Sequence, residues 1–126
     1  MGYLVGNYAP CMAPTGVVDS ATFSMVREAL PGDRFGKILA AYNEQGSAYV
    51  TALTEGFEKG DRDAVAFSCH TLKSSAGLLG AKTLSDACFA MEKEVRAGLW
   101  PSSADVQRLQ RLYESSLRDI AVYLAQ

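Results

Sequence analysis

The chain has 126 residues, of which 48% are hydrophobic, and its formal net charge is −2 at pH 7. A chain of this length suits one domain that buries about two-thirds of its unfolded surface without a metal or disulfide. Acidic and basic residues are interspersed, which argues against a nucleic-acid partner, because such partners select a basic face. The three cysteines show no paired spacing, so a reducing compartment, the cytoplasm, is expected.

Residues 1–17 are predicted to form an N-terminal arm. Glycine and proline recur through this segment and interrupt any helical period. The segment has neither the basic start of a secretory signal nor an apolar stretch long enough to span a membrane. No membrane partner is therefore expected, and the folded domain is predicted over residues 18–126.

The first predicted helix is short. It is capped by Asp19 or Ser20 and ends at Ala29, because Pro31 follows closely. A long second helix is predicted next, since apolar residues recur there at spacings of three and four. Gly46 lies inside this helix and indicates a bend or a close helix contact rather than a break.

Three further helices complete the chain. Gly60 is predicted to end the second helix, and Asp61 to cap the third. Thr83 and Asp86 resemble a capping box that opens the fourth. A fifth, amphipathic helix is predicted to begin near residues 102–103. Because the long helices are joined by short connections, the predicted fold is all-α, an antiparallel up-down-up-down four-helix bundle with a short extra N-terminal helix.

His70 is the only histidine in the chain. A helix turns about 100° per residue, which places His70 outside the apolar stripe of its own helix. Its helical neighbours are one cation, Lys73, and side chains too small to cover the imidazole ring: Ala66, Ser74 and Gly77. The pattern predicts an exposed imidazole, and a neutral imidazole nitrogen is nucleophilic near neutral pH.

The run from His70 to Gly80 consists of histidine, one residue, leucine, lysine, small residues, then apolar residues and glycine. This order resembles the signature of the histidine-containing phosphotransfer (HPt) family. The resemblance covers roughly residues 18–126. The run departs from the family at Ser74, where glycine is common, but serine is small enough to leave the surface open.

The resemblance implies a phosphorelay intermediate. His70 would accept a phosphoryl group from the aspartate of one receiver domain and pass it to another, with Lys73 stabilising the phosphoryl charge. The implied partners are receiver domains of hybrid sensor kinases and response regulators. They supply Mg²⁺, so neither a metal nor a cofactor is expected in this chain. No ATP-binding loop is present, which predicts a carrier rather than an enzyme, and a monomer is expected.

A receiver-docking surface is predicted around His70. Ser74 and Gly77 flank the histidine with side chains that would not obstruct a partner. Thr71 and Phe67 belong to the same candidate surface. For Phe67 the sequence favours packing against the N-terminal helix over a contact with the partner.

An auxiliary role is also predicted for Arg96. In the HPt family a polar and a basic residue lie near the phosphorylated histidine, and Glu92 and Arg96 occupy comparable positions. The two residues are four apart and could instead simply pair with each other. Glu92 has the weaker claim to a role in the site, because a carboxylate would repel phosphate.

Other functions fit the sequence less well. A phosphoacceptor domain of a chemotaxis-type kinase shares the chemistry, but no kinase module is attached in this chain. A non-phosphorylated helical adaptor that binds receiver domains is also possible, although it would not need the histidine and lysine of the motif. One histidine and scattered thiols lack the ligand spacing of a zinc site, and no nucleophile elbow indicates a hydrolase.

Overall fold

A computed structural model describes residues 13–126, so the greater part of the predicted arm lies outside the described residues. The described chain contains helices and no strand, which confirms the all-α class for this part of the sequence. No helix within it is long and apolar enough to cross a membrane. The helices are α1 (Ser20–Ala29), α2 (Arg34–Lys59), α3 (Arg62–Leu78), α4 (Lys82–Arg96) and α5 (Ser103–Leu124).

Most helix ends follow local sequence signals. The side chains of Asp19 and Asp61 each accept a backbone N–H in the first turn of α1 and α3. Gly60 ends α2 with a φ of 70°, a left-handed conformation that favours glycine. At the start of α5, Ser102 and Asp105 form a reciprocal capping box. These contacts confirm the predicted starts of α1, α3 and α5.

The predicted capping box at the start of α4 is wrong. The helix begins at Lys82, and no side chain caps it, so Thr83 and Asp86 both lie inside the first turns. Asp86 forms an ion pair with Lys82 instead, at 3.6 Å. The buried residue Ala81 donates its N–H to the carbonyl oxygen of Ala76 at 2.8 Å, which fixes the turn after α3 and starts α4 earlier than the sequence indicates.

The four long helices enclose the core. Helix α2 packs against α3 and α5, and α4 packs against the same two helices. Burying a large apolar side chain stabilises a fold by about 1.5–3 kcal/mol, and each long helix supplies at least one that is fully buried: Leu39, Leu53, Leu72, Leu84 and Ile120. Helix α1 joins this core through Phe23, whose ring packs against Phe35 of α2 and Tyr123 of α5.

Helix α2 is continuous through Gly46, and a close contact with another helix explains why this residue is a glycine. A Cβ atom at this position would lie 2.6 Å from Cε1 of Tyr113 in α5. The Tyr113 hydroxyl is itself held in place, because it donates to the carbonyl oxygen of Tyr42 at 2.8 Å. The hydroxyls of Tyr42 and Ser116 add a buried hydrogen bond of 2.6 Å between the same helices.

The residues just before α1 are fastened to α5 by a buried carboxylate. Asp119 is fully buried and accepts hydrogen bonds from the backbone N–H and the hydroxyl of Thr15, the latter at 2.7 Å. It also accepts from the N–H of Val18 at 3.0 Å. The described end of the predicted arm, residues 13–17, therefore lies against the folded domain.

Candidate functional site

His70 lies on the outward face of α3. Its neighbours Cys69 and Leu72 are fully buried, whereas the His70 side chain is 57% exposed. Helix geometry explains the contrast, because adjacent residues point in directions about 100° apart. Because the apolar stripe of α3 packs against the core, the imidazole of His70 faces solvent.

Glu92 of α4 lies at the centre of the polar contacts around the imidazole. The residue is only 7% exposed. Its Oε1 accepts a hydrogen bond from Lys73 Nζ at 3.1 Å, and its Oε2 accepts one from Arg96 Nε at 2.9 Å. The Nδ1 atom of His70 lies 3.0 Å from the same Oε2. One carboxylate thus connects the exposed histidine to two cations.

The charge state of Glu92 follows from these contacts. Burial by itself raises the pKa of Glu92, but the hydrogen bonds from Lys73 and Arg96, the charge of Lys73 and the hydrogen bond from His70 outweigh it. The net pKa is lowered from the ordinary value of 4.5. Glu92 is therefore ionised at neutral pH and can only accept hydrogen bonds. A neutral His70 then carries its proton on Nδ1, which leaves the lone pair on Nε2 available.

Lys73 is held beside the histidine by three contacts. Its ammonium reaches Glu92, and it also lies 5.0 Å from the centre of the Phe89 ring. Its backbone carbonyl accepts a hydrogen bond from the Ser85 hydroxyl at 3.0 Å, which ties α3 to α4. The Lys73 side chain is 25% exposed, so the ammonium is partly enclosed while the imidazole beside it is open.

The other predicted docking positions line the exposed side of α3. The Ser74 hydroxyl donates to the carbonyl oxygen of His70 at 3.4 Å, and the Thr71 hydroxyl donates to that of Phe67 at 3.0 Å. Both hydroxyls therefore bond within their own helix. Gly77 is exposed, and a Cβ atom there would lie 3.3 Å from the Ser85 hydroxyl oxygen. No bulky side chain of this group lies over the imidazole.

Phe67 does not pack under the N-terminal helix, so that interpretation is wrong. The residue is 62% exposed, and its ring lies against Tyr49 of α2 with 6.5 Å between ring centroids. It faces outward because it follows the fully buried Val65 by two positions on α3, at the border of the apolar stripe.

Sequence reasoning missed part of this arrangement. It gave Glu92 a minor place, and it did not single out Phe89. The spacing of Phe89, Glu92, Lys93 and Arg96 puts these residues on one side of α4, and this was the available signal. The predicted pairing of Glu92 with Arg96 is present.

Possible metal ligands are not clustered in the described residues, and the two cysteines among them are buried. Within residues 13–126, no group of three or more histidine, cysteine or acidic residues is placed to hold a metal ion. Cys69 and Cys88 are buried free thiols, and burial raises the pKa of both, that of Cys69 to about 12. These two thiols belong to the core.

Comparison with known families agrees with the geometry. A family model described as the Hpt domain matches residues 37–119, a span that runs from α2 into α5 and includes His70, Lys73 and Glu92. The chain therefore belongs to the Hpt domain family. Membership indicates phosphotransfer in two-component signalling, and Hpt domains are phosphocarriers rather than kinases. Searches among curated proteins and among solved structures found no match.

Proposed function

We propose that this protein is a phosphorelay intermediate that carries a phosphoryl group on Nε2 of His70. The group would arrive from the aspartyl phosphate of one receiver domain and leave to the aspartate of another. The single observation that carries the proposal is the open imidazole of His70, with Nδ1 3.0 Å from the buried carboxylate of Glu92. With the proton of Nδ1 donated to Glu92, Nε2 keeps its lone pair and is the nucleophilic atom of the ring.

The transfer step follows from that protonation state. The Nε2 lone pair attacks phosphorus, so that an N–P bond forms while the O–P bond to the aspartate breaks. The carboxylate of the donor leaves with the electron pair. The imidazole becomes positively charged because Nδ1 keeps its proton, and Glu92 stabilises that charge through the hydrogen bond at Nδ1. Attack by the second receiver's aspartate reverses these changes and restores the neutral ring.

Lys73 and Arg96 offset the repulsion that the Glu92 carboxylate would exert on a phosphoryl group. Both cations bond to Glu92, so an approaching phosphoryl group meets a cluster with one net positive charge rather than an isolated negative charge. Both cations have further N–H groups that can donate to phosphoryl oxygens. Hydrogen bonds of this charge-assisted kind contribute about 1.5–3 kcal/mol. We assign Lys73 the stabilising role and Arg96 the auxiliary one.

The receiver would dock on the exposed side of α3. The candidate positions Thr71, Ser74 and Gly77 leave the imidazole uncovered, and Phe67 offers an exposed aromatic ring three residues before it. We propose neither a nucleic acid nor a membrane as a partner. We further propose that the protein acts in the cytoplasm as a monomer.

An antiparallel up-down-up-down order of the four long helices is part of the same proposal. Contacts between α2 and α5 support it. Tyr42 bonds to Ser116, and Thr54, later in α2, accepts a hydrogen bond from Gln110 at 2.8 Å, earlier in α5. Residue numbers thus rise along α2 while they fall along α5. This order presents α3 and α4 side by side, with His70 and Glu92 in contact across them.

The test is transfer from a phosphorylated receiver domain to the full chain. We expect one acid-labile, base-stable phosphoryl adduct, which His70→Gln abolishes without altering the helical circular dichroism. Nitrogen-15 couplings to phosphorus should place the group on Nε2. Labelling that persists in His70→Gln would refute the assignment, and attachment at Nδ1 would refute the role of Glu92. A wild-type chain that binds receivers yet takes no label would be an adaptor.

A further inference from the structure

Phe89 is an aromatic residue on the surface of α4 that core packing does not explain. The residue is 49% exposed. Two ammonium groups lie near its ring, Lys73 Nζ at 5.0 Å and Lys93 Nζ at 5.3 Å from the centroid. Both distances fall within the roughly 6 Å over which the face of an aromatic ring attracts a cation. The ring therefore contacts cations from two different helices, α3 and α4.

The ring also completes the surroundings of Lys73. On one side the ammonium donates to Glu92 at 3.1 Å, and on another it contacts Phe89. An ammonium has three N–H groups, and a carboxylate contact of this kind uses one of them. The ring attracts the charge without accepting a conventional hydrogen bond, so the remaining donors stay available.

We infer that Phe89 is a positioning residue for phosphotransfer, whose ring holds the Lys73 ammonium beside His70 with donors free for the phosphoryl group. The inference rests on the proposed function. A lysine side chain loses much rotamer freedom when it is fixed in one place. Because Phe89 and Glu92 fix it before the partner arrives, that loss does not add to the barrier of the transfer step.

A contact between Phe89 and the receiver is the competing explanation for an exposed ring. The two roles predict different effects of substitutions at Phe89. A receiver contact depends on apolar area, which Phe89→Leu largely keeps. Attraction of a cation depends on the negative face of the ring, and each added fluorine weakens it with little change in volume.

The experiment replaces Phe89 in the full chain by leucine, by tryptophan and by phenylalanines that carry one, two or three ring fluorines. The rate of transfer from a phosphorylated receiver is measured for each. A cation–π contact is worth about 0.5–2 kcal/mol, so we expect Phe89→Leu to slow transfer by about 2- to 30-fold and Phe89→Trp to restore it. The rate should fall steadily with the number of fluorines.

Matched backgrounds identify the cation. The dependence on fluorine should vanish in Lys73→Met and persist in Lys93→Met, because Lys73 and not Lys93 bonds to Glu92, the carboxylate that contacts His70. A flat fluorine series, with or without an effect of Phe89→Leu, would overturn the inference. So would a dependence that survives Lys73→Met and disappears in Lys93→Met.

A second measurement separates failure of this inference from failure of the proposed function. In the unphosphorylated protein, the side-chain resonances of Lys73 should show a ring-current shift that Phe89→Leu removes. If wild type takes no label but this shift is present, the function is wrong and the placement of Lys73 stands. If wild type labels on His70 and no shift is seen, the inference about Phe89 is wrong.

Discussion

Two buried carboxylates in this protein, Glu92 and Asp119, are compensated by different kinds of donor. Asp119 is fully enclosed and receives backbone N–H groups of Thr15 and Val18 together with the Thr15 hydroxyl. Glu92 is 7% exposed and receives only side chains. Those side chains come from both helices of the site: His70, Lys73 and Arg96.

The type of donor determines what each carboxylate can do. Backbone N–H groups cannot leave Asp119 unless the chain before α1 detaches, so this carboxylate fixes structure. Lysine and arginine side chains carry further N–H donors that can reach a new anion while the helices stay in place. A buried acid whose donors are side chains is therefore suited to share those cations with a second anion during a reaction, whereas one surrounded by main chain is suited to hold a segment.

The largest effect on stability is expected for Asp119→Ala. It leaves buried donors without an acceptor, each at a cost of about 1–3 kcal/mol that is not fully additive, so we expect a loss on the order of 3 kcal/mol. Urea unfolding measures this loss. Phosphoryl labelling of the folded fraction should stay at the wild-type level. An equal loss of labelling would remove the distinction between the two carboxylates.

The opposite pattern is expected for Glu92→Ala. Losing one charge-assisted hydrogen bond to the imidazole should slow transfer to His70 by about ten- to a hundredfold. The unfolding free energy should fall by less than about 1 kcal/mol beyond the loss of packing, because Lys73 and Arg96 can turn to water. Glu92→Gln, which keeps an acceptor for Nδ1, is the control and should recover part of the rate. A rate unchanged in Glu92→Ala would contradict the tautomer argument.

Removal of one donor at a time sharpens the same comparison. Thr15→Val deletes the hydroxyl that donates to Asp119, and we expect it to cost about 1.5 kcal/mol of unfolding free energy. Arg96→Met deletes a donor to Glu92 whose side chain is 59% exposed, and the expected cost is below about 1 kcal/mol. Thermal unfolding of the two variants side by side measures the difference. Equal costs would indicate that the Glu92 cluster is as rigid as the Asp119 contact.

The smallest effect concerns pH. Because the folded-state pKa of Glu92 is lowered, its ionised form stabilises the fold at pH values above the ordinary 4.5, and this contribution is lost as the pH falls through the lowered pKa. The difference in unfolding free energy between wild type and Glu92→Gln should therefore be constant near neutral pH and shrink in acid. Urea titrations from pH 7 to below 4.5 measure it. A difference that grows in acid would reverse the sign of the argument.

Local signals made much of the fold predictable. A cap at Asp61 and a left-handed glycine at Gly60 involve neighbours in sequence, so the chain itself indicates the boundary between α2 and α3. Gly46 indicated a bend or a close helix contact, and the contact is the one present, because Tyr113 occupies that space. The start of α4 was not predictable in this way. Backbone hydrogen bonding around Ala81 outweighed the pattern of Thr83 and Asp86.

The part of the site on α3 was predictable from the sequence, whereas the contacts between α3 and α4 were not. His70 and Lys73 belong to one motif and lie three positions apart, so their shared face on α3 follows from helical spacing. The place of Glu92 depends on the packing of α4 against α3, which brings cations from both helices to one carboxylate. Counting charges along the sequence could not show that this acid is neutralised. Asp119 was missed for the same reason, since its donors lie about a hundred positions away.

The adjacent residues Cys69 and His70 also bear on chemical selectivity. A thiolate is a stronger nucleophile than an imidazole, and the two residues are neighbours in the chain. Helix geometry directs one inward and the other outward, and burial raises the pKa of the Cys69 thiol to about 12, so almost no thiolate forms at neutral pH. Under the proposed function, a phosphoryl donor that approaches α3 would meet the exposed His70 imidazole, while the Cys69 thiol is buried. The proposed phosphoryl transfer would therefore not be diverted to the neighbouring cysteine.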